Sequence, residues 1–145
     1  MAEIYLKNIN PCKRMTGDCV YRAFALFLDI SWIQAVFDLV SWCAERGKVD
    51  FTMRNSIKSF LGYRGYTRYR VPRKGMTVAE FVDEYAEDGK KYILSCPRHL
   101  TVVMPWWGAE CPGVTHVVVD SWDCRGKTVD GYWERTVDSD LVKGK

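Results

Sequence analysis

Thr16-Gly17-Asp18-Cys19-Val20-Tyr21-Arg22-Ala23-Phe24 sets a cysteine directly after a glycine turn and an acid, at the head of an apolar run. Apolar positions recur at Val20, Phe24, Phe27 and Leu28, with Ala23 between them, which is helical spacing. Thr16, Gly17 and Asp18 are the residue types that turn the chain and cap such a helix. The spacing therefore places Cys19 in the first turn of a buried helix. There, unpaired backbone N–H groups and the positive end of the helix dipole favour an anion. A thiolate is the nucleophilic form of cysteine, and a helix N-terminus lowers the thiol pKa.

Working outward, Asp29-Ile30-Ser31 breaks the first helix, predicted over 19–28, and Ser31 caps a second. Trp32, Ala35, Val36, Leu39, Val40 and Cys43 keep the same period, and Gly47 ends that helix. A third helix is predicted from Thr52 to Leu61 with Gly62 as its stop. The segment 63–74 is basic, aromatic and free of acids. Thr77-Val78-Ala79-Glu80 is a capping-box pattern that opens a fourth, acidic helix closed by Gly89. The basic segment and this helix are expected to face each other or lie side by side.

From Lys91 the period changes to two. Residues 92–96, 99–104, 114–120 and 131–136 read as strands, separated by turn signals at Pro97, Trp107-Gly108, Pro112-Gly113 and Arg125-Gly126-Lys127. Residues 3–9 form a short strand or an extended arm. Helices first and an antiparallel sheet afterwards describe an α+β domain spanning residues 1–145.

The totals narrow the possibilities. The chain has 145 residues, 48% of them hydrophobic, with 6 Trp, 8 Tyr and 6 Phe, enough for one domain with a substantial core. No apolar run approaches the ~20 residues of a membrane helix, and residues 1–7 lack the apolar stretch of a signal peptide. The expected compartment is the cytoplasm, with no membrane partner. The 6 cysteines (12, 19, 43, 96, 111 and 124) are then expected to be reduced thiols. With no Cys-x-x-Cys pair and only His99 and His116, neither a metal nor another cofactor is expected. A net charge of +3 argues for no partner by itself.

A cysteine nucleophile needs a base, and the base needs a group to hold it. The base is either His99, at the start of its strand, or His116, which alternation puts on one face with Val118 and Asp120. Asp120 and Asp123 are the candidate orienting acids. A strand bearing His99 and paired with a strand ending at Asp120 would make the two side chains neighbours.

The order of helix cysteine, strand histidine and Asp120-Ser121-Trp122 resembles the papain-like thiol hydrolases, which have Asn-Ser-Trp at the last of these motifs. Thr16-Gly17-Asp18-Cys19-Val20 with Arg22-Ala23, and Arg98-His99-Leu100-Thr101-Val102-Val103, more closely resemble a group of phage and bacterial proteins regarded as papain-fold cysteine peptidases. The resemblance covers residues 10 to 135. It implies a papain-like α+β fold, with Cys19 as nucleophile, His99 as general base and acid, and Asp120 as orienting acid. It also implies a peptide or protein substrate, with a host protein as one candidate and the host cytoplasm as the location if the chain is phage-encoded. Papain-like enzymes carry a Gln before the cysteine for the oxyanion hole. Lys13 and Arg14 stand there instead, which leaves Asn10 as the nearest amide. Asp18, beside the thiol, would oppose thiolate formation by like charge.

Trp106, Trp107, Trp122 and Trp133 are aromatic candidates for the substrate cleft, with His116 beside them, although core packing explains such residues equally well. Three functions follow. The first is a cysteine-dependent hydrolase, peptidase or amidase, working through an acyl-enzyme. The second is a catalytically silent papain-like phage accessory protein that binds a host protein. The third is a nucleic-acid-binding module on residues 63–74, where arginines alternate with tyrosines. The adjacent acidic helix weighs against the last.

Overall fold

The computed structural model describes residues 2–11, 18–51, 54–106 and 115–137. Cys12, Lys13-Arg14, the Thr16-Gly17 turn, Thr52, Trp107-Gly108, Cys111 and Pro112-Gly113 lie outside them. The chain runs β1 (Glu3–Leu6), α1 (Cys19–Leu28), α2 (Trp32–Glu45), α3 (Arg54–Tyr63), α4 (Val78–Glu84), β2 (Lys90–Cys96), β3 (His99–Pro105), β4 (His116–Asp120) and β5 (Gly131–Thr136). The fold is mixed α+β, with a sheet ordered β1-β4-β3-β2-β5.

The sheet is mixed, a correction to the antiparallel expectation. Its four later strands are antiparallel neighbours, but β1 pairs with β4 in parallel, Glu3 with Val117 through Leu6 with Asp120. Both strands therefore point to the same end of the sheet. The Lys7 N–H continues the ladder onto the Asp120 carbonyl at 2.7 Å. A parallel β1 delivers the chain leading to α1 to the end where Asp120 stands.

The sheet is covered on both faces, as its nearly all-buried β2, β3 and β4 require. Ile93, Leu100, Val102 and Trp133 pack against Val20, Phe24, Phe27, Leu39 and Phe60 of α1, α2 and α3. On the other side Tyr92, Leu94, Val103, Val118 and Tyr132 pack against Val78, Phe81 and Val82 of α4. Alternation along the strands sorts residues between the two clusters. Lys91, at the start of β2, fastens the far end of α1. Its ammonium donates to Leu26 O at 2.7 Å and to Asp29 Oδ1 at 2.8 Å.

Two helix ends differ from expectation. α3 runs through Gly62 to Tyr63 and stops at Gly65, the residue with φ +96°. There the Tyr66 N–H bonds Leu61 O and the Gly65 N–H bonds Gly62 O, a left-handed cap that needs a residue without a β-carbon. α4 ends at Glu84, because Tyr85 turns off to place its hydroxyl 2.9 Å from that of Tyr132. The Thr77–Glu80 capping box at its start is present in both directions.

The basic segment is a strut. Arg73 spans Glu80 and Glu84 of α4, Arg68 pairs with Asp130, and Arg64 lies 3.7 Å from Asp38. Tyr66 packs edge-on against Phe27, and Tyr69 packs on Tyr132. Among the described residues Cys19, Cys43, Cys96 and Cys124 are unbridged, and no single helix is long and apolar enough to cross a membrane.

Candidate active site

Cys19 is the first residue of α1 and is partly exposed, whereas Cys43, Cys96 and Cys124 are buried. Asp18 caps the helix by position but not by its side chain, which makes no bond to the helix N–H groups. Its carboxylate instead accepts from Arg22 Nε at 3.0 Å, Trp32 Nε1 at 3.0 Å and Asn10 Nδ2 at 3.1 Å. The acid feared as a repellent of the thiolate is thus already neutralised by Arg22, one helical turn along.

β3 and β4 bring the other two residues together. Val102 pairs with Val119, so continuing the register sets Thr101 across from Asp120 and His99 one diagonal step away. His99 Nε2 lies 2.6 Å from Asp120 Oδ2. A carboxylate can only accept, so Nε2 carries the hydrogen and Nδ1 is left for the thiol. The other carboxylate oxygen, Oδ1, accepts from Arg22 Nη1 at 2.8 Å and from the Ser121 N–H at 2.7 Å. Arg22 therefore joins Asp18 and Asp120 from the face of α1. Trp122, 40% exposed, lays its ring 4.8 Å from the imidazole centre and covers the His99–Asp120 pair.

The electrostatics favour a charged pair. Burial pushes the Cys19 thiol up, but His99, the Leu100 backbone and the charge on Arg22 outweigh it and hold the thiol below its usual value. Burial pushes His99 down, yet its bonds to Asp120, Cys124 and Cys19 raise it well above the ordinary imidazole range. Asp120, despite burial, is held well below the usual carboxylate range by His99 and Arg22. Both shifts run toward a thiolate and an imidazolium rather than the neutral pair. Cys96 is the contrast, its thiol pushed up to about 12 by burial and by neighbouring negative groups.

Cys19 and His99 open into a cleft of about 260 Å³, lined also by Val20, Ile57, Leu100 and Trp133, with Arg54 and Arg98 as its cations. Three expectations for this cleft are corrected. His116 is buried at the opposite end of β4, its Nε2 bonded to Lys90 O at 2.9 Å, because it opens the strand that Asp120 ends. Trp106 lies in a separate groove beside Tyr5, Leu26 and Val119, at the far end of β3 from His99. Asn10 does not line the cleft, and its amide is engaged by Asp18. Trp122 roofs the histidine without lining the cleft, and Asp123 is tied to Arg125 at the surface.

Reading the sequence missed Arg22 as a bridge, Cys124 as a neighbour of the histidine, and both cleft arginines. The i, i+4 spacing of Asp18 and Arg22 was a usable signal; contacts across 98 residues leave none. The Cys124 thiol donates to Asp120 Oδ2 at 3.3 Å. His99, Asp120 and Cys124 have potential ligand atoms within 4.8 Å of one another, but the Arg22 guanidinium on the same carboxylate opposes a divalent cation. Comparison with protein-family models, with curated proteins and with solved structures gave no match.

Proposed function

We propose that the protein is a cysteine-dependent acyl hydrolase, a peptidase or amidase of papain-like type, working through Cys19, His99 and Asp120. One observation carries the reading: a thiol on a helix N-terminus shares a cleft with a histidine that is held through Nε2 by a buried carboxylate. The Cys19 sulfur attacks the acyl carbon, and the C–S bond forms as the carbonyl becomes an oxyanion. The Cys19 backbone N–H, at the head of α1, is a donor for that charge. Collapse expels the amine or alcohol, which takes its proton from His99. Water, deprotonated by His99, then displaces the sulfur and releases the acid. Asp120 stays ionised throughout and fixes the ring.

The test is an acyl-enzyme trap with p-nitrophenyl acetate. A burst of about one nitrophenolate per chain, with the acetyl group on the Cys19 peptide by mass spectrometry, is the expected result. Acetyl spread evenly over the cysteines, with no burst, would remove the hydrolase reading.

A further inference from the structure

The cleft beside Cys19 carries charge of one sign. Arg54 and Arg98 line it, and among the described residues no carboxylate does. Arg54 is committed elsewhere, since its Nη2 donates to Asp130 Oδ2 at 2.8 Å. Arg98 is exposed and has no hydrogen bond or ion pair among the described residues. An unpaired guanidinium at the mouth of a concave site is a forked donor matched to a carboxylate.

The backbone supplies a second observation. Pro97 and Arg98 are the two turn residues between β2 and β3, closed by the pairing of Cys96 with His99. Arg98 has φ +59°, a left-handed conformation that glycine or asparagine adopts at less cost. A large cation is held there directly before the general base, and such backbone outliers gather where ligands are bound. Among the described residues the cleft wall therefore offers an unpaired cation, with no carboxylate opposite it.

We infer that the cleft selects an acidic acyl donor, one with a carboxylate next to the carbonyl that Cys19 attacks, such as a peptide with Asp or Glu supplying the scissile carbonyl. Arg98 reads that carboxylate. The inference rests on Cys19 being the nucleophile.

The test uses N-acetyl-aspartyl and N-acetyl-asparaginyl chloromethyl ketones, alike in shape and different by one charge. The thiolate displaces chloride from the methylene carbon and leaves a thioether on Cys19. Each rate is divided by that of the same reagent with glutathione. The aspartyl reagent is expected to label Cys19 about tenfold faster than the asparaginyl one, with the preference shrinking as salt is added. In Arg98→Gly, which keeps the left-handed turn and removes the cation, the preference falls to about one; Arg98→Lys keeps part of it. Equal wild-type rates, with both reagents still dependent on His99, would overturn the acidic selectivity and leave the thiol chemistry standing. An unchanged preference in Arg98→Gly would overturn Arg98 as its reader. Labelling by both reagents no faster than with glutathione would overturn the nucleophile, and this inference with it.

Discussion

Arg22 decides whether the site can exist. It is 7% exposed and bonds Asp18 and Asp120 at once, so two buried carboxylates depend on one guanidinium. Removing one partner of a buried ion pair costs about 3–5 kcal/mol, because the other charge stays desolvated. Arg22→Met is therefore expected to lose that much in urea denaturation at neutral pH, and a loss below about 1 kcal/mol would contradict the bridge. At this scale the three residues that the fold gathers at the cleft, Cys19, His99 and Asp120, each carry a local signal in the sequence: a cysteine opening a helix, a histidine opening a strand, an acid ending one. Arg22 was visible only as a letter in a motif. Its role arises from a bond to Asp120, 98 positions away. His116 misled because alternation assigns a face but not a position along the strand, and it sits at the wrong end of β4.

Elements position these residues through a few close approaches. β5 begins at Gly131, where an added β-carbon would stand 2.3 Å from the Arg68 guanidinium carbon. That guanidinium donates to the Asp130 carbonyl and carboxylate and lies 5.9 Å from the centre of the Trp133 ring on the cleft wall. Gly131→Ala is expected to displace Arg68 and cost about 1–3 kcal/mol. In the Arg68→Ala background the same change should cost much less, since the two effects share one contact. Equal costs in both backgrounds would show that the glycine serves the backbone instead. The helices and the four later strands were legible from period, caps and turn residues. The direction of β1 was not, because a four-residue strand carries no signal of which neighbour it joins. The stop of α3 was misplaced by three residues because two glycines stand close together, and only the one with positive φ forms the cap.

Across the whole molecule, the site joins one helical layer to the sheet: α1 brings Cys19 and Arg22, and the sheet brings His99 and Asp120. Folding and site chemistry should therefore titrate together. Asp18 and Asp120 are held below their ordinary values, so their contribution to stability is present above about pH 4 and is lost as pH falls through the folded-state values. His99 is raised, so its contribution is complete below about pH 6.5 and declines as pH rises above it. Urea midpoints are expected to fall on acidification below about pH 4, with a smaller acid-side fall in Arg22→Met. A midpoint flat down to about pH 2 would contradict the charge network. The central claim is tested most directly by the rate of Cys19 alkylation with iodoacetamide against pH, read by peptide mass spectrometry in wild type and His99→Ala, with the other cysteines as internal references. The account predicts that Cys19 reacts fastest, with an apparent pKa well below the ~8.5 of a free thiol, and that the mutant loses this advantage. A Cys19 that titrates like a free thiol whether or not His99 is present would contradict it.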